Sequence, residues 1–239
     1  MMLKKVLCVC VLSFVLSLVV TGCGDAIENS ETSKSSGMSM EAPRENAVEL
    51  AKADGITITA NKEVDNGMFN EITVQFEDYS KTFSWGNVTN ETYYPIVKVA
   101  DVDTDGKEEI IIILTKGYGT GLHEQEIHVL NKEGLTEMMV DDPIKSIKEK
   151  VSSKILKENG KVKVIVNFNN KEIEKTYNET DAGSWNEEVG FGSIVEYDVS
   201  DNQITATVPG SVSPAEFAVT ATVEYGSDLK VKNITIKAE

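Results

Sequence analysis

Five carboxylates lie within nine residues at positions 101–109, where the sequence is DVDTDGKEE. Asp101, Asp103 and Asp105 alternate along this stretch, so their carboxylates can converge on one side of a tight turn, and Gly106 permits the bend. The backbone carbonyl of Lys107 can point toward the same side. Oxygen-only ligands in a flexible ring are what a hard cation such as calcium requires. The spacing therefore predicts a calcium-binding loop.

The loop is not an EF-hand, because an EF-hand has a glutamate at loop position 12, where this chain has Ile112. It resembles the calcium loops of FG-GAP and VCBS-type repeats, in which an acid at position 9 is followed directly by an apolar strand. The resemblance runs from Ile96 to about Thr115 and implies a structural ion. By matching position, it implies five ligands: Asp101, Asp103, Asp105, the carbonyl of Lys107, and Glu109. The alternative is a solvated acidic turn without an ion, which the repulsion among the carboxylates disfavours.

Two other motifs fail on spacing. The glycine-rich GYGTG at 117–121 is not followed by Gly-Lys-Ser/Thr, so we expect a hairpin-closing turn that could serve as a binding loop rather than a phosphate loop. His123 and His128 are five residues apart, whereas the zincin motif needs four, and an odd separation on a strand puts them on opposite faces. These are the only histidines, and no cysteine follows Cys23. We therefore predict no catalytic residue.

The N-terminus has the layout of an export signal. Lys4 and Lys5 precede an apolar run at 6–20, which is shorter than the roughly 20 residues that span a bilayer. The run ends in VTGC at 20–23, which resembles a lipobox. An ordinary signal peptide, or an uncleaved anchor with a chance cysteine, is the alternative.

In bacterial lipoproteins the lipobox implies cleavage before the cysteine and diacylglycerol on its sulfur, so Cys23 would carry palmitate-like chains. Two or three chains, at about 0.8 kcal/mol per buried methylene, hold a protein stably at a membrane. The expected segments are a signal peptide at 1–22, a flexible tether at 23–44 and a β-rich domain at 45–239. The resemblance places the protein on the extracytoplasmic face of the cell membrane, attached through the lipid.

Charge narrows the range of partners. The chain has 23 basic and 39 acidic residues, for a formal net charge of −16. Loss of Lys4 and Lys5 with the signal peptide would leave 21 basic residues and a charge of about −18. Such a surface repels phosphate backbones and anionic headgroups, so we expect no nucleic-acid binding and a soluble, monomeric domain.

Period-two alternation dominates after the tether and predicts a mainly β fold. We expect a single β-rich domain, either a sandwich or partly propeller-like, with one or two short helices. The apolar run at 110–114 predicts a strand buried on both faces. Helices are predicted at 45–53, closed by Asp54 and Gly55, and at 142–155. A complete propeller of four blades, at roughly 40–50 residues each, would only just fit, and only one acidic loop is present.

These features favour a non-enzymatic, calcium-stabilised lipoprotein that binds an envelope protein or glycan. The alternative is an extracytoplasmic hydrolase that acts on envelope glycans through paired carboxylates in a cleft. A substrate-binding lipoprotein of a transporter is disfavoured because that class has two α/β lobes. Trp85 and Trp185 are expected to be core or edge aromatics, with a carbohydrate platform as the alternative.

Overall fold

Strands with alternating apolar and polar side chains make up most of the chain that the structure describes. The structure is a computed structural model and describes residues 47–61 and 64–239. These residues form one α-helix, α1 (Pro143–Lys150), two 3-10 turns (Glu91–Tyr93 and Glu179–Asp181) and seventeen strands. The strands are β1 (Ala47–Ala53), β2 (Ile56–Asn61), β3 (Val64–Asp65), β4 (Met68–Phe76), β5 (Tyr79–Val88), β6 (Ile96–Ala100), β7 (Glu109–Gly119), β8 (Leu122–Asn131), β9 (Thr136–Met138), β10 (Val151–Glu158), β11 (Lys161–Phe168), β12 (Lys171–Asn178), β13 (Gly190–Phe191), β14 (Ile194–Ser200), β15 (Gln203–Ser211), β16 (Phe217–Tyr225) and β17 (Val231–Ala238). The mainly β fold class is confirmed.

The strands form three sheets. The first has the order β1-β2-β4-β3, with β5 also paired to β4. The second is β10-β11-β12. The third runs β17-β16-β15-β14-β8-β7-β6, with β13 added to β15 and β9 added to β8. Sheets of five, three and nine strands are not the four similar blades of a complete propeller, so the described residues favour the single β-rich domain.

Strand β7 separates two apolar cores. Ile110, Ile112 and Leu114 are fully buried in a core shared with the first sheet, while Ile111 and Ile113 belong to a core on the other face of the large sheet. Because successive side chains of a strand point to opposite faces, burial on both sides requires an unbroken apolar run. The strand predicted from 110–114 is therefore confirmed, and the loop at 101–108 leads directly into the most buried strand.

A third core underlies the small sheet. Val162, Val164 and Val166 of β11 are buried with Trp185 and Val219. Trp185 is 9% exposed and its indole N–H donates to the carbonyl of residue 179 over 2.9 Å. A buried and hydrogen-bonded indole cannot serve as a carbohydrate platform, so the core interpretation of this tryptophan is confirmed.

One edge of β8 is only partly paired. At the start of β8, His123 and Glu124 pair in parallel with β14, and near its end Val129 to Asn131 pair with β9. Between these two segments, residues 125–128 have no strand partner on this edge. The side chain of Gln125 fills part of the gap, since its Oε1 accepts the N–H of Tyr197 over 2.8 Å. Two surface depressions are lined by residues of this unpaired stretch.

The helix predicted at 45–53 is wrong: residues 47–53 are β1, which pairs with β2. Asp54 and Gly55, which we took as a helix end, both have positive φ, at 51° and 76°. An Asp-Gly pair in this conformation is the favoured two-residue hairpin turn. The hairpin gives β1 a strand partner and buries Leu50.

The helix predicted at 142–155 is present but shorter. The Asp142 carboxylate caps it by accepting the N–H groups of Ile144 and Lys145 at 2.8 and 3.3 Å, and Pro143 occupies its first turn. The helix ends at Lys150, and β10 begins at Val151 and pairs with β11. Residues 151–155 have helical spacing of apolar side chains, but their hydrogen bonds to β11 make them a strand. Within the described residues, no helix is long and apolar enough to span a membrane.

Candidate functional site

The acidic loop closes the hairpin between β6 and β7. Ala100 at the end of β6 pairs directly with Glu109 at the start of β7, and residues 101–108 connect them. Glu109 is 2% exposed, and Val102 of the loop is buried in the core that also contains Ile111. A glutamate at this register position is held at the base of the loop, facing the residues that the turn brings back over it.

Three of the five predicted ligand residues come together. One carboxylate oxygen from each of Asp101, Asp103 and Glu109 lies within 4.8 Å of the others. The carboxylate of Asp105 is outside this triad and accepts the N–H of Lys107 over 2.7 Å. The participation of Asp105 and of the Lys107 carbonyl therefore stays a prediction. Cys23, the predicted lipidation residue, lies outside the described residues.

The loop is held by its own carboxylates. Asp103 Oδ1 accepts the N–H of residue 105 over 3.0 Å, Asp101 Oδ2 accepts that of Gly106 over 3.2 Å, and Glu109 Oε2 accepts that of residue 102 over 3.0 Å. Thr104 and Gly106 have φ of 63° and 90°, so the chain makes the tight bend that the glycine predicts. These bonds bring the triad together in a prefolded turn.

Burial and the proximity of three carboxylates favour a bound cation at the triad. Burial raises the pKa of Glu109; the N–H of Val102 opposes that rise, and the charges of Asp103 and Asp105 add to it. Oδ1 of Asp101 is buried without a hydrogen-bond partner. A buried acceptor without a donor is destabilising, and a hard cation bound there would satisfy it and offset most of the negative charge of the triad. The residues present therefore fit a calcium ion.

Nearby lysines contact the flanking acids. Lys132 Nζ lies 2.9 Å from Glu108, and Lys107 Nζ lies 3.3 Å from Glu133, all at exposed or half-exposed positions. Neither of these ion pairs includes a carboxylate of the triad. The charge of the triad is thus not offset by these two ammonium groups.

A cleft of about 620 Å³ lies beside the unpaired edge of β8. Residues of β8, the start of α1 and the start of β14 line it, and most of its charged groups are acidic. Its polar lining residues are Lys116, Glu124, Gln125, Glu126, Asp141, Asp142 and Tyr197. The sequence did not reveal this cleft, because its walls come from segments that are far apart in the chain.

Several carboxylates of the cleft have structural partners. Asp142 caps α1, and Asp141 Oδ2 accepts the N–H of Val231 over 3.1 Å. The pKa of Glu126 is lowered to about 2, first by His128, whose Nε2 lies 3.7 Å away, and also by Lys116 at 3.3 Å. A carboxyl that ionises so readily holds no proton near neutral pH and is a poor general acid.

The two histidines are separated, as predicted. His128 is 6% exposed and its ring stacks on Trp85, with centroids 3.8 Å apart. His123 lies beside Tyr93 and Glu196 instead. The two rings have no common partner among these contacts, so a zincin-type site is absent from the described residues. Trp85 is itself 8% exposed, which confirms its place in the core.

The glycine-rich segment closes the β7–β8 hairpin, as predicted. Strand β7 ends at Gly119 and β8 begins at Leu122. Gly121 has φ of 68°, and a Cβ there would lie 2.7 Å from the backbone oxygen of Pro214. The glycine is therefore required by the turn conformation and by the close approach of another backbone.

Comparisons with known proteins add little to this geometry. No protein-family model and no curated protein matches the chain. The chain is similar to a solved structure described as a Xanthomonas type IV secretion system related protein, with 11% sequence identity and a TM-score of 0.28. The alignment covers 81% of this chain and 93% of that one. A TM-score this low carries no argument about the function of the chain.

Proposed function

We propose that this protein is a lipid-anchored extracytoplasmic lipoprotein whose β-rich domain holds a structural calcium ion and binds an envelope protein or glycan. The observation that carries the calcium assignment is the acidic triad, in which a buried oxygen of Asp101 has no hydrogen-bond partner and Glu109 is almost fully buried. Calcium would supply positive charge and flexible oxygen coordination there.

Each side chain of the triad has a separate part in holding the ion. Glu109 is fixed by its position at the start of β7 and by the N–H of Val102. Asp103 reaches over the turn, where one of its oxygens also accepts a backbone N–H. Asp101 presents its buried Oδ1. With most of the charge of the triad offset by the ion, the turn would hold β6 and β7 together at the end of the large sheet.

The proposed compartment explains how the ion is acquired. Extracellular calcium modules commonly bind at about 10⁻⁴–10⁻³ M, so such a site fills outside the cell and stays empty inside it. Attachment through Cys23 would keep the domain where the ion is available. The strongly acidic composition supports a partner that is neither nucleic acid nor an anionic membrane surface.

The anchor is tested by mass spectrometry and fractionation. Native protein purified from membranes is expected to start at Cys23 and to carry a diacylglycerol adduct on it. A Cys23→Ala variant is expected in the medium or as the uncleaved precursor. An intact mass beginning at Met1, or lipid labelling that survives the substitution, would contradict the assignment.

The calcium site is tested by titration calorimetry. We expect one ion per chain, and at least a tenfold loss of affinity in Asp103→Asn because a charged ligand is removed. Glu108→Gln is the matched control, since it removes one negative charge from an exposed acid that pairs with Lys132 outside the triad. Equal losses in both variants would indicate general charge screening and would reject the site.

A glycan hydrolase is the second candidate, and the acid-lined cleft is the observation that favours it. The proposal of a binding role ranks higher because Asp141 and Asp142 accept backbone N–H groups and Glu126 is ionised far below neutral pH. The cleft then offers anionic and amide groups to a partner that carries cations or hydroxyls. Release of reducing ends from cell-wall glycan, abolished by Glu124→Gln, would reverse this ranking.

A further inference from the structure

His128 has one ring nitrogen that the fold leaves without a hydrogen-bond partner. Nδ1 lies 2.7 Å from Oε1 of Glu137 on β9, whereas Nε2 is buried and has no hydrogen-bond partner. The ring is 6% exposed and is held flat against Trp85, at an interplanar angle of 17°. A buried unpaired nitrogen on an immobilised ring is costly unless something binds it.

A carboxylate oxygen of Glu126 lies close to this nitrogen. Oε2 of Glu126 lies 3.7 Å from Nε2, which is too long for a hydrogen bond. A metal ion at about 2.1 Å from each atom, with the tetrahedral angle of about 109° between the bonds, would hold the two atoms roughly 3.4 Å apart, so Glu126 would need to move by only a few tenths of an ångström. Oε2 of Glu126 also forms an ion pair with Lys116, whose Nζ lies 3.3 Å away.

Glu137 lies where many metal sites have a carboxylate that orients the histidine ligand. Histidine ligands almost always donate their other ring N–H to a carboxylate or carbonyl, which fixes the tautomer and leaves a lone pair on the coordinating nitrogen. Glu137 provides this carboxylate for His128. Glu126 and His128 are two apart on β8 and so share a face, and Glu137, which pairs with Leu130, is the diagonal neighbour of His128 on β9.

The site opens to solvent on one side. Glu126, His128 and Glu137 line a depression of about 370 Å³ together with Met138 and Met139, at the unpaired stretch of β8. The Glu126 and Glu137 side chains are 45% and 42% exposed, so rotation of Glu126 can admit an ion without unfolding. Water can complete the coordination, as it does at zinc sites that keep open positions.

We propose that His128 Nε2 and Glu126 are the protein ligands of a second metal site, selective for a borderline divalent ion such as zinc. Glu137 is a positioning residue that orients the imidazole, and Lys116 competes with the ion for Glu126. An imidazole–carboxylate ligand pair favours zinc, cobalt or nickel over calcium, so this site differs in chemistry from the acidic loop. The inference is independent of the proposed lipid anchor and of the calcium loop.

The test uses cobalt(II) as a fluorescence-quenching zinc surrogate, titrated into the full chain with saturating calcium. Because His128 stacks on Trp85, cobalt at Nε2 is expected to quench Trp85 emission with one-to-one saturation, and zinc is expected to reverse it. The titration is done in a Trp185→Phe background, which leaves Trp85 as the sole tryptophan.

Matched variants decide the assignment. His128→Gln and Glu126→Gln should weaken cobalt binding at least about tenfold, and Glu137→Gln by about 10- to 100-fold as an orienting carboxylate. His123→Gln, which changes the other histidine of β8, should leave the affinity unchanged. Lys116→Gln should tighten binding. Quenching that is equal in the two histidine variants would overturn the proposal.

A second measurement covers the case in which loss of the His128 ring disturbs folding. In unmodified protein labelled with ¹⁵N at histidine, zinc should shift the Nε2 resonance of His128 and leave that of His123 in place. No zinc-dependent shift would mean that His128, Glu126 and Glu137 form only a buried ion-pair chain, and the proposed metal site would be rejected.

Discussion

Replacing Asp101 by Asn should stabilise the calcium-free protein. The substitution keeps the size of the side chain and its ability to accept the N–H of Gly106, but removes one of three carboxylates within 4.8 Å of one another. Two unit charges at that distance repel by about 3 kcal/mol at an effective dielectric constant near 20. Asp101 and Asp103 are only partly buried, so solvent screens much of this energy. We expect a gain of about 1 kcal/mol.

The same substitution should destabilise the protein when calcium is present. With a dissociation constant of about 10⁻⁴–10⁻³ M, about 10 mM calcium would stabilise the native protein by about 1.4–2.7 kcal/mol. A domain of this size gains about 2–4 °C in Tm per kcal/mol, so the expected rise is roughly 3–10 °C. Asp101→Asn removes a charged ligand, and a loss of affinity of about 100-fold would reduce the stabilisation to at most about 0.4 kcal/mol, or about 1–2 °C in Tm. The order of stability of the two proteins therefore inverts.

Scanning calorimetry in chelator and in calcium measures this inversion, with magnesium at equal concentration as the ionic-strength control. Glu108→Gln provides the matched variant, since this acid is 60% exposed and pairs with Lys132. It should change Tm by the same small amount in both buffers. If the Tm of Asp101→Asn is higher than that of the unmodified protein in both buffers, or lower in both, the triad does not hold calcium.

Three further predictions concern the fold. Ile112→Ala should cost about 2–5 kcal/mol in urea unfolding because the side chain is fully buried, while Ile96→Ala on the neighbouring strand, 44% exposed, should cost less than about 1 kcal/mol. Gly121→Ala should lower Tm because of its positive φ and a backbone oxygen at 2.7 Å, whereas Gly119→Ala in the same hairpin meets nothing within 4 Å; equal effects would contradict the turn geometry. Burial raises the pKa of Tyr197 to about 12, so the folded state favours the neutral phenol. This contribution to stability is complete below pH 10 and falls by at most about 1.4 kcal/mol per pH unit as the pH rises to about 12. Tyr197→Phe should therefore flatten the dependence of stability on pH in alkaline unfolding experiments.

Local patterns in the sequence predicted the elements whose partners are also local. The apolar run of β7 and the hairpin turn at 117–121 are present. The acidic loop also forms as its spacing suggests, since its carboxylates bind N–H groups within the loop itself. In each case a few neighbouring residues determine the conformation.

Features that depend on distant partners could not be predicted in this way. The residues of β1 fit one face of a helix by spacing, but the hairpin with β2 supplies hydrogen bonds that the spacing does not reveal. The surroundings of His128 were missed for a similar reason. Its distance from His123 excludes a zincin motif, yet Glu126, two residues away on a strand, shares its face. Trp85 and Glu137 complete that cluster from β5 and β9.

The two proposed metal sites should be almost independent, although one includes the first residue of β7 and the other lies on β8, the strand paired with β7. Glu109 pairs with Asn131, and Ile112 pairs with His128, so only two residues of β7, Ile110 and Ile111, lie between these two positions. Those residues are fully buried between two cores, and local opening of such a strand costs nearly as much as global unfolding. Calcium release should loosen the loop without moving β7. We therefore expect cobalt affinity at the His128 site to differ by less than about twofold between calcium-free and calcium-saturated protein. A larger change would mean that β7 transmits the state of the loop, and that the buried strand is less rigid than its packing implies.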